Sequence, residues 1–224
     1  MIEFQNVSYS YPNKQVFDNI DLKINSGEFV FLVGESGIGK STLLKLIYLE
    51  LFPTRGNMVI DNYNSSRIEK KEIPFLRRKL GVVFQDFKIL HDRNVFENAA
   101  MPLYIEGMKK EYIKKKVYDV LSKVGLIDKI NDMPYDLSGG EQQRLAIARA
   151  IINDPIALIA DEPTGNLDST NGEEVMKLLQ ELNEAGTTMI MVTHSPYDAG
   201  FAHRVINLFD GRVVTENIKE QFHI

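Results

Sequence analysis

The segment GESGIGKS, residues 34–41, lies between a run of apolar residues at 29–33 and a stretch with helical spacing at 41–51. It matches the pattern G-x-x-x-x-G-K-[ST], in which a glycine-rich loop joins a strand to the start of a helix. The flanking strand and helix are the context that this pattern requires, and they disfavour an ordinary glycine-rich turn. The segment therefore predicts a strand–loop–helix unit in this 224-residue chain.

The loop has the composition of a phosphate-binding site. Its glycines free backbone N–H groups to surround a phosphate, and the helix start adds about half a positive charge. Lys40 would neutralise the β- and γ-phosphates of a nucleotide, and Ser41 would offer its hydroxyl to Mg²⁺. A dinucleotide fingerprint is disfavoured, because Lys40 and Ser41 stand where a third glycine should follow. The predicted binding residues are Gly34, Glu35, Ser36, Gly37, Ile38, Gly39, Lys40, Ser41 and Thr42.

Strand and helix patterns alternate along the rest of the chain. Residues 2–24 alternate apolar and polar side chains, as in an antiparallel sheet with one solvated face. Continuous apolar runs, typical of parallel strands buried on both faces, occupy residues 29–33, 82–84, 156–160 and 187–193. Helical patterns occupy residues 41–51, 109–124, 139–153 and 169–185, and a hairpin is predicted at 205–214. Strands that alternate with helices predict an α/β fold.

Residues 86–153 are mostly helical and separate two of the predicted parallel strands. We interpret this segment as a helical subdomain inserted into an α/β core, which would comprise residues 1–85 and 154–224. The predicted fold class is therefore α/β: a P-loop NTPase core with a mixed, largely parallel sheet, an N-terminal antiparallel β subdomain and the helical insert. Residues 1–224 would form this single domain.

Polar side chains follow the predicted parallel strands. Asp161 and Glu162 follow one strand, Gln85 follows another and His194 follows a third. Because the carboxyl ends of parallel strands meet at one edge of a sheet, these side chains would converge on a γ-phosphate, its metal ion and a water. Asp161 suits Mg²⁺ binding through water, and Glu162 suits polarising the attacking water. Gln85 would orient that water or contact Mg²⁺, and His194 would hydrogen-bond the γ-phosphate; a loop role is the alternative for each side chain alone.

The segment LSGGEQ, residues 137–142, begins a second helix with two glycines. Ser138 and Glu141 fit the capping box S-x-x-E, which by itself explains a helix start. The box does not need Gly139 and Gly140, which lower helix propensity and expose N–H groups at a positive helix end. If this helix lies away from the first phosphate loop, the simple solution is a two-fold dimer in which each subunit's Ser138 end covers the other's nucleotide. ATP would then hold the two subunits together.

Together these motifs resemble the ATP-binding cassette family, whose signature LSGGQ appears here as residues 137–142. The resemblance covers essentially the whole chain, with the motifs in the family's order, and it implies that residues 34–42 are the Walker A loop. The other implied roles are the Q-loop residue Gln85, the Walker B acid Asp161, the catalytic base Glu162, the D-loop acid Asp168 and the switch histidine His194. Tyr11 matches the aromatic residue that stacks on adenine in the family. Tyr9 is its rival, and packing in the sheet is the alternative for either tyrosine.

Two parts of the chain point to a branch of the family. Residues 74–78, 84–87, 92–95 and 97–98 are similar to segments of the ATPases of bacterial cell-division complexes. Residues 141–144 and 165–168 are shared with relatives that release lipoproteins or export macrolides. The resemblance implies an integral membrane partner that docks near the Q-loop, in the cleft between core and helical insert. ATP-driven dimer closure would regulate peptidoglycan hydrolysis outside the membrane. The chain would lie at the cytoplasmic face of the inner membrane, attached through its partner; an export ATPase and a soluble ATP-dependent scaffold are the alternatives.

Composition narrows the classes of partner and of chemistry. Lys plus Arg number 26 against 31 Asp plus Glu, and the net charge of −5 gives no reason to expect nucleic acid. The chain has no Cys, which excludes disulfides, thiolate metal sites and cysteine nucleophiles. No apolar run approaches the ~20 residues that a bilayer requires, and we expect no membrane span or signal peptide. The lysines at 109–116 are expected on the solvated face of a helix rather than on a membrane.

Overall fold

The computed structural model describes residues 1–193 and 198–218, and within them the chain forms two sheets and six α-helices. The strands are β1 (Ile2–Tyr11), β2 (Lys14–Ile24), β3 (Phe29–Val33), β4 (Arg55–Ile60), β5 (Tyr63–Asn64), β6 (Leu80–Val83), β7 (Ala157–Asp161), β8 (Thr188–Val192), β9 (Arg204–Phe209) and β10 (Arg212–Ile218). The helices are α1 (Lys40–Ile47), α2 (Ile73–Arg78), α3 (Val95–Ile105), α4 (Lys110–Lys123), α5 (Gly139–Ile151) and α6 (Ser169–Glu184).

The larger sheet has six strands in the order β10-β9-β3-β8-β7-β6. Its neighbours are parallel except for the β9–β10 hairpin, which confirms the prediction of a mixed, largely parallel sheet. The smaller sheet is antiparallel throughout, in the order β2-β1-β4-β5. Strands β4 and β5 complete this sheet, although the sequence pattern predicted only its first two strands.

Side chains on both faces of the larger sheet are buried, which explains the unbroken apolar runs. On β3, Phe29 and Phe31 belong to a core formed with helices α3 to α6. Val30 and Leu32 of the same strand belong to a second core, formed with α1, α2 and the smaller sheet. Strands β7 and β8 alternate in the same way, because successive side chains of a strand point to opposite faces. The larger sheet is therefore the middle layer of the molecule.

Helices α3, α4 and α5 lie between β6 and β7 in the chain and pack against one another. Helix α4 buries Ile113, Val117, Val120 and Leu121, while its lysines are exposed apart from the half-buried Lys116, as expected for a solvated face. Within residues 1–193 and 198–218, every helix is too short or too polar to cross a membrane.

Helix α1 ends at Ile47, whereas the apolar spacing predicted a helix to residue 51. The chain turns at Leu49, which is 2% exposed and has a φ of +53°, in the left-handed region that costs a bulky residue about 1–2 kcal/mol. Arg77 on α2 donates to the carbonyl oxygens of Tyr48 and Leu49, both at 3.0 Å. Burial of Leu49 continues the apolar spacing past the end of the helix, so the pattern alone could not locate that end.

Candidate nucleotide site

Two positions of the loop between β3 and α1, Gly34 and Gly39, have room only for glycine. Gly39 has a φ of +112°, and a Cβ placed on it would lie 2.4 Å from Cγ1 of Val16 on β2. A Cβ on Gly34 would lie 2.7 Å from the carbonyl oxygen of Leu208 on β9. Strands β2 and β9 therefore fix the path of the loop, and a side chain at either glycine would displace backbone or core atoms.

Lys40 extends along the inside of this loop. Its Nζ donates to the carbonyl oxygens of Gly34 at 2.6 Å and Glu35 at 2.9 Å. Burial lowers the pKa of Lys40, while the negative charges of Glu162 and Asp161 oppose that shift. Lys40 therefore lies close enough to both carboxylates to interact with them electrostatically. Because Gly39 caps α1 without a side chain, the first-turn N–H groups of the helix do not face a competing side-chain oxygen at that cap.

Asp161 and Glu162 lie at the carboxyl end of β7, beside the end of β8. Asp161 is paired in register with Val192, and the Glu162 N–H donates to the Val192 carbonyl at 3.0 Å. Glu162 has a φ of +47°, a conformation that non-glycine residues adopt only when their surroundings enforce it. Both residues are half-buried, so they can meet a ligand at this edge.

Gln85 and Glu162 both lie next to Gly165, in the turn that follows β7. A Cβ placed on Gly165 would lie 3.3 Å from Nε2 of Gln85 and 3.5 Å from Cβ of Glu162. The side chain of Asn166 donates to the Gln85 carbonyl at 2.8 Å, which ties the two loops together. The structure thus brings Gln85, Asp161 and Glu162 to the edge that the sequence predicted. His194, the fourth predicted residue of this group, lies outside the described residues.

The residue types at this edge suit a magnesium-bound nucleoside triphosphate. Ser41 is exposed at the start of α1, and its hydroxyl, the Asp161 carboxylate and the Gln85 amide oxygen are the hard oxygen donors that Mg²⁺ prefers. Gly34 and Gly39 let the loop lie directly against β9 and β2, where a Cβ would clash. Lys40, Glu35, Ser36, Ile38 and Thr42 complete the predicted loop, in which Glu35 and Ser36 are exposed and Thr42 is buried.

The start of α5 is closed by its own side chains. The Ser138 hydroxyl accepts from the Glu141 N–H at 3.3 Å, and the Glu141 carboxylate accepts from the Ser138 N–H at 2.8 Å. Lys129 adds an ion pair with Glu141 at 2.7 Å. Burial alone would raise the pKa of Glu141, but the hydrogen bonds from Lys129 and Ser138 outweigh it and hold that pKa below its ordinary value. The predicted capping box is therefore present.

Gly140 has a packing role that the sequence did not reveal. A Cβ on Gly140 would lie 2.1 Å from Oδ1 of Asn171 on α6, whereas one on Gly139 would lie 3.6 Å from the nearest atom, on Leu167. Asp168 caps α6 by accepting from the Asn171 N–H at 2.9 Å and from its side-chain amide at 2.7 Å. These hydrogen bonds lower the pKa of Asp168. The starts of α5 and α6 are thus packed together, so exposure of N–H groups is not the sole reason for two glycines.

The two candidate adenine-stacking tyrosines differ in burial. Tyr11 is 39% exposed, whereas Tyr9 is 8% exposed and belongs to the core beneath the smaller sheet. Their rings meet edge to face with centroids 5.1 Å apart. Tyr9 therefore packs in the core, and Tyr11 presents its ring to solvent.

Two residues that the sequence reasoning missed hold the loop after Gln85. Arg149 on α5 donates to the carbonyl oxygens of Phe87 at 2.9 Å and Lys88 at 2.6 Å, and both of those residues have left-handed φ angles. Asn98 is fully buried on α3 and bonds the same loop through the Leu90 N–H and three carbonyl oxygens. A polar residue within a buried helix face was the available signal in each case.

The comparisons with known proteins concern the sequence and the fold of the whole chain. The sequence model of the ABC transporter family matches residues 17–165. The chain is 48% identical to the cell division ATP-binding protein FtsE of Bacillus subtilis, over 99% of this chain and 98% of that protein. It is 43% identical to FtsE of Escherichia coli K12, over 95% and 97% of the two chains.

A solved structure extends the similarity to the fold. It is described as the dimeric structure of a post-hydrolysis state of the ATP-binding cassette MJ0796 bound to ADP and Pi. That protein superposes with a TM-score of 0.87 at 39% identity, covering 99% of this chain and all of the other. Family model, relatives and fold agree, and the chain therefore belongs to the ATP-binding cassette family, with FtsE-type cell-division ATPases among its relatives.

Proposed function

We propose that this chain is the ATP-hydrolysing subunit of a bacterial cell-division complex, working as a homodimer with an integral membrane partner of the FtsX type. The observation that carries the proposal is the meeting of Lys40, Asp161, Glu162 and Gln85 at one edge of the larger sheet. Similarity to FtsE supports the biological context. A lipoprotein-releasing or macrolide-exporting ATPase is the alternative, because the same site would serve it.

Hydrolysis follows from the chemistry of these side chains. Lys40 and the loop N–H groups offset the negative charge of the β- and γ-phosphates. Glu162 accepts a proton from the water that attacks the γ-phosphorus, while the bond from that phosphorus to the bridging β-phosphate oxygen breaks and ADP leaves. The position of Glu162 beside Gln85 lets the amide orient the water. His194 would hydrogen-bond the γ-phosphate. Ser41, Asp161 and Gln85 would hold Mg²⁺, which when bound neutralises charge on the phosphates.

Glu162→Gln tests this assignment, because an amide cannot act as a base. We expect turnover to fall by about 10² to 10⁴, with the affinity for a fluorescent ATP analogue retained. Glu69→Gln is the matched control, since Glu69 is an exposed acid that forms an ion pair with nearby Lys71. ATPase activity is measured with and without EDTA, for the chain alone and with its membrane partner. Near-normal turnover of Glu162→Gln would contradict the role of Glu162, and turnover unaffected by EDTA would contradict the magnesium requirement.

A homodimer follows from the second helix start. Ser138 and Gly139 are exposed at the start of α5, and the backbone N–H groups there can meet a phosphate held by another copy. The dimeric state described for MJ0796 supports this arrangement. In such a dimer Ser138, Gly139, Gly140, Glu141 and Asp168 of one copy would border the nucleotide of the other.

Light scattering of Glu162→Gln with saturating ATP should give the mass of a dimer. Adding Ser138→Arg should return the mass of a monomer, because the large, positively charged arginine side chain would occupy the interface. Ser122→Arg, on the exposed side of α4, is the control and should leave the dimer intact. A dimer that survives Ser138→Arg would contradict a nucleotide-bridged interface at this helix start.

A groove between the core and the inserted helices is our candidate docking site for the membrane partner. One wall is formed by α2 and β6 and the other by α3 and α5, enclosing about 330 Å³. Ile105 lines this groove and is 63% exposed. Phe75 lines an adjacent cavity and is 56% exposed. Arg149, which also lines the groove, holds the loop after Gln85. A short helix of the partner would bury these apolar side chains and attach the chain to the cytoplasmic face of the membrane.

Phe75→Asp and Ile105→Arg should each abolish co-purification with a coexpressed FtsX-type membrane protein in detergent. Val214→Arg is a matched control, because Val214 is 55% exposed on β10. ATPase activity of the isolated variants should stay at the level of the unmodified chain. Capture of the partner by both groove variants would place the docking surface elsewhere, and association with soluble proteins alone would favour the scaffold.

A further inference from the structure

Asp198 is a buried carboxylate that connects the turn after β7 to the end of β8. It is 5% exposed and begins a short 3-10 helix, Asp198–Phe201. Its Oδ2 accepts from the hydroxyl of Thr164 at 2.8 Å and from the hydroxyl of Thr193 at 3.1 Å. Burying a carboxylate costs free energy unless hydrogen bonds compensate. The hydroxyl groups of Thr164 and Thr193 provide such hydrogen bonds to Asp198.

Thr164 is fixed on two sides by these contacts. It stands two residues after Glu162, in a turn closed by the Gly165 N–H donating to the Glu162 carbonyl at 3.0 Å. A Cβ placed on Gly172 of α6 would lie 3.8 Å from Cβ of Thr164 and 3.9 Å from its methyl carbon. The methyl group therefore faces α6, while the hydroxyl is held by Asp198.

Glu162 requires such restraint because of its backbone. Its φ of +47° is strained for a residue with a side chain, and the conformation persists only when neighbours enforce it. One restraint is the bond from the Glu162 N–H to the Val192 carbonyl. The second is the Thr164–Asp198–Thr193 bridge, which leads to the residue after Val192. Both restraints tie the turn to the end of β8, and Glu162, Thr164 and Asp198 line one cavity of about 680 Å³.

We propose that Asp198 is a positioning residue for ATP hydrolysis: through Thr164 it holds the turn that aims the Glu162 carboxylate. This inference rests on the proposed function, in which Glu162 is the base. The loop at residues 34–41 lies against β2 and β9, whereas Asp198 binds Thr164 and Thr193. Loss of Asp198 should therefore lower kcat, because small displacements of a catalytic group are costly, and leave KM for ATP unchanged.

The test compares Asp198→Ala with Asp198→Asn and Thr164→Val. We expect kcat to fall about tenfold to a hundredfold in Asp198→Ala, with KM within twofold of the unmodified chain. Asp198→Asn should recover most of the activity, because both threonine hydroxyls donate to a single oxygen that an amide can replace. Thr164→Val removes only the hydroxyl and should reproduce the loss in kcat.

Asn183 provides a matched control at the other end of β8. It is also 5% exposed, and its side chain donates to the carbonyl oxygens of Gly27 at 3.0 Å and Thr187 at 2.8 Å. Asn183→Ala should lower Tm without changing kcat or KM. All assays are run at a temperature where circular dichroism shows each variant folded.

The outcomes separate this inference from the function on which it rests. If Asp198→Ala lowers Tm but keeps its kcat, as expected for Asn183→Ala, the positioning role is overturned. If Asp198→Ala does not fold, Thr164→Val provides the test, and an unchanged kcat in that variant would also overturn the positioning role of Asp198. If Glu162→Gln itself retains turnover, the assignment of the base fails first, whatever the Asp198 variants do.

Discussion

Helices α1 and α5 both have glycines at their starts, but their first turns are satisfied differently. At α1 the capping residue is Gly39 in a left-handed conformation, and Lys40 bonds the carbonyl oxygens of its own loop. At α5 the first turn is closed by Ser138 and Glu141, with Lys129 balancing the carboxylate. Similar glycine motifs therefore have different physical causes: backbone conformation and contact with strand β2 at α1, and packing against helix α6 at α5.

The largest effect that tests this comparison is expected for Gly39→Ala. Its Cβ would lie 2.4 Å from Val16 and the residue would keep a φ of +112°, so the loop must move. We expect kcat/KM for ATP to fall about a hundredfold. Gly37→Ala, whose Cβ meets no atom within 4 Å although φ is +77°, should lose about tenfold or less. Equal losses in the two variants would show that crowding does not matter at α1.

At α5, Gly140→Ala should lower the free energy of unfolding by about 1–3 kcal/mol, because the new Cβ would push Asn171 away from Asp168. Gly139→Ala is the control and should cost nothing, since its Cβ makes only an ordinary contact and alanine favours a helix. Denaturant titration measures both, and Gly140→Ala combined with Asn171→Ala should recover most of the loss. If the double variant is no better, the reason for Gly140 is not packing.

Ser138→Ala should cost about 1 kcal/mol of stability through loss of the α5 cap. Ser138→Thr keeps an acceptor oxygen and should cost less, while Ser122→Ala on the exposed side of α4 should stay within about 0.5 kcal/mol. Chemical denaturation of the three variants checks the ranking. Equal stability of Ser138→Ala and the unmodified chain would mean that the α5 start, like that of α1, does not rely on a side-chain cap.

The smallest effect concerns the charge of Glu141. Its pKa is lowered in the folded chain, so the stability that its ionised form contributes is present above the ordinary value of 4.5 and is lost as pH falls through the folded pKa. The stability difference between the unmodified chain and Glu141→Gln should therefore be positive at pH 7 and shrink toward zero in acid. A difference that is constant with pH would assign the effect to shape rather than to charge.

The sequence predicted the layers of the fold because its signals are local. Unbroken apolar runs at 29–33 and 156–160 correspond to strands with two buried faces, and residues 34–41 lie at the predicted edge. The partners of Gly140 and Asp198 could not be predicted, because Asn171 and Thr164 approach them only through folding. Distant contacts of this kind leave no periodicity in the sequence.

The end of α1 shows another limit. Leu49 stays buried after the helix has ended, so the apolar spacing continues while the backbone changes direction. Arg77, which is distant in sequence, binds the carbonyl oxygens there. A pattern that reports burial cannot by itself report the backbone angles that accompany it.

Helix α5 joins the two surfaces through which this chain would meet other proteins. Ser138 caps one end, and eleven residues later Arg149 holds the loop beside the groove. At a rise of 1.5 Å per residue the two positions are about 16 Å apart. A rotation of about 10° around the Arg149 end would therefore carry Ser138 through about 3 Å, roughly the length of one hydrogen bond. In the proposed dimer, a small tilt at the groove would therefore change the distance between Ser138 and a nucleotide held by the second copy.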